Sequence, residues 1–264
     1  MDLGLTGKIA IVTGGSDGLG KAAATRMAME GAKVGLAARD QARLDSAIAE
    51  IKATTGSDDV IGISTDVTNE SQVARMVDTV VGTWGGIDIL VNNAGTSAAG
   101  KFEDIAIDTW KYDIQLKVYG AIYCCRAALP HLKESSAGRI INLTTWGGKA
   151  TPGGTMPTSL SRAAGISLTK AMSKDYAADG ILVNTVCVGV IKSGQTQRIF
   201  EAQREANSSL TEDDFNDRIG GMVPLGRIGE SEEVGDVIAF LASERASYVT
   251  GAAINIDGGQ SPVV

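Results

Sequence analysis

The sequence predicts a single α/β domain, residues 1–264, built on a doubly wound parallel sheet. Short apolar runs rich in Ile and Val alternate along the chain with longer amphipathic stretches. The short runs are apolar at successive positions, as strands buried on both faces of a parallel sheet must be. The 264 residues, 44% of them hydrophobic, are sufficient for one large core, and no linker rich in Pro, Gly or Ser divides them.

The predicted elements follow one another in a strand–helix repeat. Strands are predicted at residues 8–13, 33–38, 60–64, 87–92, 139–143, 181–188 and 253–256. Helical spacing is found at residues 18–30, 40–54, 69–83, 109–133, 158–179 and 231–241. In the last helix, Ser231 before two acids is a typical helix cap. Such repeats form parallel sheets through right-handed crossovers.

One segment interrupts this alternation. Residues 194–222, after the sixth strand, are acidic, polar and irregularly helical in pattern. An insertion at this place commonly covers the crevice at the carboxyl ends of the strands. We therefore expect a substrate lid at residues 194–222, and the alternative is a surface excursion without function.

Composition argues against several function classes. The net charge of −7 and the lack of a basic run argue against nucleic acid as a partner. No signal region and no apolar run of membrane-spanning length are found, so we expect a cytoplasmic protein without a membrane partner. The single histidine, His131, argues against a metal site and a Ser-His-Asp triad. Cys124, Cys125 and Cys187 have the spacing of buried small residues.

The first strand leads into a glycine-rich turn, Thr13-Gly14-Gly15-Ser16-Asp17-Gly18-Leu19-Gly20, and then into a helix. Gly14 permits the tight turn, Gly18 lets the backbone approach a pyrophosphate, and Gly20 lets the helix pack closely on the strand. The N–H groups at the start of the helix then bind the phosphates. This context predicts a dinucleotide site formed by Gly14, Ser16, Asp17, Gly18 and Leu19.

The pattern Thr-Gly-x-x-x-Gly-x-Gly resembles the short-chain dehydrogenase/reductase family, and further motifs match along the whole chain. They are Asp66-Val67, Asn92-Asn93-Ala94-Gly95, Val183-Asn184 with Val188-Gly189, Pro224-Leu225-Gly226-Arg227, and Thr250-Gly251 with Asp257-Gly258-Gly259. The resemblance implies a Rossmann-type fold that binds NAD(P) and acts as an oxidoreductase. It also implies a homotetramer or homodimer, with the helices at 109–133 and 158–179 at the interfaces.

Further cofactor contacts follow from the same resemblance. It implies an adenine contact at Asp66 and Val67. It implies a wall of the cofactor site at Asn93, Ala94 and Gly95. It implies nicotinamide contacts at Val188, Gly189 and Ile191.

The end of the second strand bears on the choice between NADP(H) and NAD(H). An acid at this place binds the ribose 2′-hydroxyl of NAD, but here Ala37-Ala38-Arg39 precedes the first acid, Asp40. Arg39 can pair with a 2′-phosphate and stack on adenine, which favours NADP(H). Asp17 in the glycine turn argues against this preference, so NAD(H) stays possible. The other interpretation of Arg39 is a solvated loop charge.

Members of the family act through Asn, Ser, Tyr and Lys. The tyrosine, its pKa lowered by the lysine, exchanges a proton with the substrate while hydride passes to or from the nicotinamide. Aligned on the family's motifs, this chain has Lys117 at the asparagine, Thr145 at the serine, Thr158 at the tyrosine and Arg162 at the lysine. Thr145 keeps a hydroxyl, whereas the other positions are changed in chemistry.

The replacements remove the usual proton donor. A threonine has no accessible pKa near neutrality and an arginine stays protonated, so neither Thr158 nor Arg162 can do what the tyrosine does. Arg162 can still hold the nicotinamide ribose, one helical turn from Thr158. Lys117 can titrate usefully if it is desolvated beside Arg162; a solvent position or a carboxylate partner is the alternative.

Other side chains near these positions have simpler interpretations. Two cations, Lys117 and Arg162, at a nicotinamide pocket suggest an anionic substrate such as a carboxylate. Trp146 is either an apolar wall of that pocket or core filling. Tyr119 and Tyr123, on the helix of Lys117, are expected to be packing residues.

Three functions are compatible with this pattern. We favour an NAD(P)H-dependent oxidoreductase with an atypical active site, acting on a carbonyl or enoyl substrate, because an intact cofactor site is hard to explain without hydride transfer. Within the family, 2,4-dienoyl-CoA reductases lack the tyrosine at this position and are partly similar to this chain. The alternatives are a redox-neutral lyase or decarboxylase on the same fold, and a nucleotide-binding pseudoenzyme.

Overall fold

Seven strands alternate with helices in the structure, a computed structural model that describes residues 1–264. The strands are β1 (Ile9–Thr13), β2 (Lys33–Ala38), β3 (Val60–Ser64), β4 (Ile89–Asn92), β5 (Arg139–Thr145), β6 (Leu182–Val188) and β7 (Ala253–Ile256). The helices are α1 (Gly18–Met29), α2 (Gln41–Thr55), α3 (Glu70–Trp84), α4 (Ile107–Ile114), α5 (Gly120–Glu134), α6 (Thr158–Asp175), α7 (Gly194–Ala206), α8 (Glu212–Gly220) and α9 (Ser231–Ala242). None of the helices combines the length and apolar character that a membrane crossing requires.

The sheet is parallel throughout, and its strand order is β3-β2-β1-β4-β5-β6-β7. The order reverses between β1 and β4, so the connections after these two strands run to opposite faces of the sheet. A crevice opens where they part, at the carboxyl ends of the strands. The topology confirms the predicted doubly wound parallel sheet of Rossmann type.

Helices cover both faces of the sheet because successive strand residues point to opposite faces. Ala10 and Val12 of β1 belong to the apolar cluster beneath α1, α2 and α9. Ile9 and Ile11 belong to the cluster beneath α3, α5 and α6. The three cysteines are free and buried, as their spacing predicts. Both faces of the sheet are therefore dry, which explains the continuous apolar runs in the sequence.

Strand β5 extends two residues beyond its predicted end at Leu143. Thr144 and Thr145 continue the ladder by pairing with Cys187 and Val188 of β6. The extension places Thr145 at the carboxyl edge of the sheet, beside the crevice.

The predicted helix at residues 109–133 consists of three elements. It begins earlier, at Ile107, and a π-helical segment, Gln115–Tyr119, separates α4 from α5. The apolar pattern continues across this segment, so sequence periodicity does not reveal it. The predicted helix at 158–179 ends at Asp175, and a 3₁₀ turn, Ala177–Asp179, closes at Gly180 with φ 73°.

The prediction that Ser231 caps α9 was wrong. Glu230 is the cap, and its backbone N–H donates to the Glu233 side chain over 2.8 Å. The Ser231 hydroxyl donates to the Lys192 carbonyl oxygen over 2.6 Å instead. Glu230 therefore takes the cap position that the sequence analysis gave to Ser231, and Ser231 is the first residue of the helix.

The segment at 194–222 is more regular than its sequence predicts. Helices α7 and α8 begin with side-chain caps at Ser193 and Thr211. The rings of Phe200 and Phe215 pack between the two helices with 5.5 Å between centroids. This contact between two aromatic rings thus packs α7 against α8, whose other surfaces are mostly polar.

Replacing Gly20 by Ala should destabilise the fold. A Cβ at this position would overlap the Asn93 side-chain amide and the Gly14 carbonyl oxygen, so α1 would have to move away from β1. We expect urea unfolding to show a loss of about 1–3 kcal/mol, as for other overpacked sites.

The matched control is Gly82→Ala in α3, where an added Cβ meets no atom within 4 Å. It should gain about 0.5–1 kcal/mol from the better helix propensity of alanine. Equal effects of the two substitutions would show that the contact at Gly20 is not tight.

Candidate active site

The glycine turn after β1 is held by a residue at the end of β4. The Asn93 side-chain amide donates to the carbonyl oxygens of Thr13, over 2.8 Å, and Gly14, over 3.1 Å. The Thr13 hydroxyl accepts from the backbone N–H groups of Asn93 and Ala94. Gly14 has φ 65°, a left-handed conformation that suits glycine. These bonds fix the turn at the start of α1, where the Gly18 N–H donates to the Asp17 side chain over 2.8 Å.

The adenosine end of the crevice is lined by residues from several strand ends. Seven of the predicted cofactor residues meet here: Gly14, Ser16, Arg39, Asp66, Val67, Ala94 and Gly95. The Asp66 carboxylate accepts from the Thr68 hydroxyl and backbone, which shapes the loop after β3. The Arg39 guanidinium donates to the Tyr112 hydroxyl over 3.2 Å. The crevice therefore has the shape and the flanking cation that a nucleotide needs.

Arg43 also lines this crevice, and sequence reasoning missed it. Its guanidinium forms an ion pair with Asp17 over 2.8 Å. Asp40 caps α2 by accepting from the Arg43 backbone, which fixes the first turn of the helix at the crevice edge. The sequence did contain a signal for Arg43. Asp40 is a typical helix cap, and a cap there places Arg43 in the first turn of a helix that starts next to Arg39.

The predicted nicotinamide contacts lie at the end of β6 and in the segment after it. The Gly189 N–H donates to the Ile256 carbonyl oxygen over 3.0 Å. A Cβ at Gly189 would lie 2.8 Å from the Asp257 Cα, so only glycine fits. Ile191 is buried and pairs by a single bridge with Gly229. The C-terminal segment thus holds Val188 and Gly189 in place, and the segment before α9 holds Ile191.

The segment at 194–222 starts next to the glycine turn after β1. Gly194, the first residue of α7, packs against the Asp17 carboxylate, and a Cβ at Gly18 would lie 3.2 Å from the Ser193 Cβ. The Gln195 side-chain oxygen accepts from the Ser97 N–H over 3.1 Å. Helix α7 therefore begins beside the glycine turn and contacts the loop after β4.

Three of the four predicted catalytic residues meet in one cluster. The Lys117 ammonium donates to the Thr158 hydroxyl over 3.1 Å. The Arg162 guanidinium donates to the Leu143 carbonyl oxygen over 2.7 Å, and it covers the Cα of Gly95. Thr145 lies at the end of β5, opposite Val188 of β6. The register places Thr145 at the carboxyl edge of the sheet, beside Val188, a predicted nicotinamide contact.

Asp113 completes the cluster, and sequence reasoning missed it. The carboxylate is buried, forms an ion pair with Lys117 and accepts from the Ser161 hydroxyl over 2.6 Å. The signal was available, because Asp113 and Lys117 are four residues apart on one predicted helix. Lys117 therefore has the carboxylate partner that was one of its predicted alternatives.

The π-helical segment positions Lys117 at the centre of these contacts. Lys117 is the middle residue of Gln115–Tyr119, and its side chain has 0% exposure. Asp113 lies four residues before Lys117, and the two side chains remain in contact across the start of this segment. π-helical turns occur often at functional sites because they redirect side chains without breaking the helix.

The cluster shifts the ionisation of both cations. Burial, and then the charge of Arg162, lower the pKa of Lys117 to about 8, and Asp113 opposes this change. Burial lowers the pKa of Arg162 to about 10, again opposed by Asp113. Arg162 is therefore charged at neutral pH, whereas Lys117 titrates near the physiological range.

The aromatic residues near the cluster have separate surroundings. The Tyr119 ring is half-exposed and packs on the Tyr123 ring with 6.1 Å between centroids. The Trp146 indole N–H donates to the Gln260 side-chain oxygen over 3.0 Å. Trp146 therefore joins the turn after β5 to the C-terminal segment.

Comparison with known proteins agrees with this architecture. Residues 14–261 match the family model described as enoyl-(acyl carrier protein) reductase. Meso-2,3-butanediol dehydrogenase from Serratia marcescens is 35% identical over 252 residues, which are 96% of this chain and 94% of that protein.

Two solved structures are similar over nearly the whole chain. A short-chain oxidoreductase from Pseudomonas aeruginosa, described as containing an atypical catalytic center, is 31% identical with a TM-score of 0.93 and coverage of 99% of this chain and 100% of that chain. L-sorbose reductase from Gluconobacter frateurii, in complex with NADPH and L-sorbose, is 29% identical with a TM-score of 0.93 and covers 100% of both chains. These matches confirm the family resemblance that the sequence motifs predicted.

Replacing Asp113 by Asn should destabilise the protein in a pH-dependent way. At pH 7 the substitution leaves Lys117 and Arg162 facing each other without a counter-charge, a loss of about 3–5 kcal/mol for a broken buried pair. Since the pKa of Lys117 is about 8, the lysine of the unchanged protein becomes neutral above that pH. The Asp113 carboxylate then has only the charge of Arg162 to neutralise, so its loss costs less stability. We expect the difference in unfolding free energy between Asp113→Asn and the unchanged protein to narrow from pH 7 to pH 9.5.

The matched control is Asp108→Asn on the same helix, because Asp108 pairs with Lys111 at 92% side-chain exposure. This substitution should change stability little at either pH. A pH-independent loss for Asp113→Asn would mean that the carboxylate acts through packing and not through its charge.

Proposed function

Because the chain belongs to the short-chain dehydrogenase/reductase family of NAD(P)-dependent oxidoreductases, we propose that it is an NADP(H)-dependent reductase of a carbonyl or conjugated enoyl group. One observation carries the proposal. The cofactor crevice leads to a buried cluster that keeps a positive charge and a titratable lysine beside the nicotinamide end. Bound NADPH supplies the hydride, and the residues of this chain supply orientation, charge and a proton.

The charge of the cluster favours the reductive direction. Lys117 and Arg162 carry two positive charges against the one negative charge of Asp113, so one positive charge is left over. The oxidised nicotinamide ring is a cation and the reduced ring is neutral. A net positive charge beside the ring therefore destabilises the oxidised cofactor relative to the reduced one. The same charge stabilises the oxyanion that forms when a carbonyl accepts hydride.

The surplus charge also supports an anionic substrate. Asp113 already neutralises one of the two cations, so the attraction to a carboxylate on the substrate rests on Arg162. Arg162 donates to Leu143 through one terminal nitrogen, and its other terminal nitrogen lies over Gly95. By family resemblance Arg162 holds the nicotinamide ribose and Thr145 orients the reacting oxygen.

The adenosine end supports NADP(H) as the cofactor. Arg39 and Arg43 both line the crevice there. Asp17, the residue that argues against a 2′-phosphate, is already paired with Arg43 and presents less free negative charge. L-sorbose reductase and the Pseudomonas oxidoreductase both have structures with NADPH bound.

Substitution of Arg39 tests the cofactor preference. Arg39→Ala should weaken NADPH binding at least tenfold, the factor expected from about 1.4 kcal/mol, because a charge-assisted contact to the 2′-phosphate is lost. NADH binding should weaken much less, since NADH lacks that phosphate and loses only the stacking of Arg39 on adenine. Titration of the nicotinamide fluorescence gives both dissociation constants.

Arg75→Ala, which removes an exposed arginine on α3, is the control and should leave both constants unchanged. Equal weakening of NADPH and NADH by Arg39→Ala would argue against a 2′-phosphate site and return the choice to NAD(H).

Transfer of deuterium tests the reaction itself. We expect NADPH labelled at C4 to pass deuterium to a product when ketones and enoyl compounds, each with and without a carboxylate, are supplied. Mass spectrometry of the product detects the label, and absorbance follows the oxidation of the cofactor. Faster reduction of the carboxylate-bearing members would support the anionic substrate.

Two other outcomes correspond to the remaining functions. Product without label and without net oxidation of NADPH would indicate a redox-neutral lyase or decarboxylase. Tight NADPH binding with no product from any compound would indicate a non-catalytic nucleotide-binding protein.

A further inference from the structure

We propose that the Thr158 hydroxyl carries a proton from the buried Lys117 ammonium to the substrate oxygen, and that Asp113 is the positioning residue of this pair. The proposal rests on the proposed reductase function and names how its proton is delivered. It assigns to two residues the task that other members of the family give to one tyrosine.

Lys117 cannot deliver a proton to a substrate directly. Its side chain has 0% exposure, and its ammonium is enclosed by Asp113 and Thr158. Thr158 is partly exposed, so of these two residues it is the one that a ligand can touch. Any proton from Lys117 has to pass through a group that touches both sides.

The Thr158 hydroxyl has the hydrogen bonds that such a relay needs. It accepts from the Ala98 N–H over 2.9 Å and from the Lys117 ammonium over 3.1 Å. A hydroxyl has two acceptor lone pairs and one donor hydrogen, so these two bonds use both lone pairs. The hydroxyl hydrogen is left to donate to a third group. Because the Ala98 N–H and the Lys117 ammonium occupy the two acceptor positions of the oxygen, that hydrogen points away from both.

The relay does not require threonine to ionise. The hydroxyl gives its own proton to the substrate oxygen while it takes one from Lys117, so no threonine alkoxide forms. Lys117 suits this task because burial beside Arg162 lowers its pKa to about 8, and a less basic ammonium is a stronger acid.

The atoms and charges balance in the reductive step. The carbonyl carbon of the substrate takes the hydride of bound NADPH, and the electron pair of the C=O π bond moves to oxygen. That oxygen takes the Thr158 hydroxyl proton, and the Thr158 Oγ takes a proton from the Lys117 Nζ. The carbonyl becomes an alcohol, NADPH becomes NADP⁺, Thr158 is unchanged and Lys117 is neutral. Lys117 recovers its proton from solvent through Thr158 after the product leaves.

Asp113 keeps the relay aligned and charged. The groups that face Lys117 are Asp113 from α4, Arg162 from α6 and the neutral thiol of Cys124 from α5, which lines the same small cavity. Asp113 binds Lys117 through one oxygen and the Ser161 hydroxyl through the other. Ser161 lies three residues after Thr158, so the carboxylate fixes the ammonium relative to the start of α6.

The test compares Thr158→Val with Thr158→Ser in single-turnover hydride transfer. Valine has the shape of threonine without the hydroxyl, and we expect at least a 100-fold lower rate with an unchanged dissociation constant for NADPH. Serine should restore most of the rate. In the unchanged protein the rate should fall as pH rises through 8, because Lys117 loses its proton, and this dependence should be absent in Thr158→Val and Lys117→Met.

Two further comparisons sharpen the test. Lys117→Met combined with Thr158→Val should be no slower than either substitution alone, since both break one chain of transfer. Ser167→Ala, which removes an exposed hydroxyl on α6, should leave the rate and its pH dependence unchanged. A rate for Thr158→Val within threefold of the unchanged protein, with the pH dependence intact, would overturn the relay.

A measurement without turnover separates the relay from the reductase function. The side-chain nitrogen resonance of Lys117, identified by its loss in Lys117→Met, should titrate near pH 8 in the NADPH complex and shift in Thr158→Val. Asp113→Asn should move that midpoint to lower pH. A midpoint above pH 10 would exclude Lys117 as the proton source even where deuterium transfer occurs, whereas failure of deuterium transfer in the unchanged protein overturns the reductase and the relay together.

Discussion

Burial of the Lys117 ammonium against the Asp113 carboxylate is the interaction around which the site is arranged. Burial and the charge of Arg162 lower the pKa of Lys117, and the Asp113 carboxylate opposes both by pairing with the ammonium. The pair also ties α4 to the segment that precedes α5, and through Ser161 to the start of α6. Three elements thus meet at one charged contact.

The fold determines where this contact can lie. Parallel strands bring their carboxyl ends to one edge, so Gly14, Gly95, Thr145 and Gly189 all lie on the crevice although they are far apart in sequence. Asn93 holds the glycine turn to the end of β4, and Gly95, two residues later, lets the Arg162 guanidinium approach the backbone. The cofactor site and the charged cluster therefore share the loop after β4. A change in that loop would affect both.

The sequence was sufficient for most of the fold because the relevant signals are local. Runs of Ile and Val mark buried strands, and the glycine turn marks the crevice. The site was less predictable because its chemistry depends on distances between elements. Asp113 lies one turn from Lys117, yet only the packing of α4 against α6 shows that Ser161 holds the same carboxylate. The cap at Glu230 and the π-helical segment were missed for a related reason, since both depend on hydrogen bonds that hydrophobic periodicity does not encode.

In the proposed mechanism the proton donor, Lys117, and the group that touches the substrate, Thr158, are different residues. This separation affects whether reduction or oxidation is favoured. A tyrosine can serve as acid or base at the surface of a site, because one atom both ionises and makes contact. In the proposed arrangement the contact atom stays neutral and the charge stays on Lys117, which no ligand reaches. Reduction then requires the ammonium, the form present below the lysine pKa of about 8, and oxidation of an alcohol requires the neutral amine. Because Asp113 favours the ammonium, the carboxylate that holds the lysine in place would, in the proposed mechanism, also favour reduction over oxidation at neutral pH.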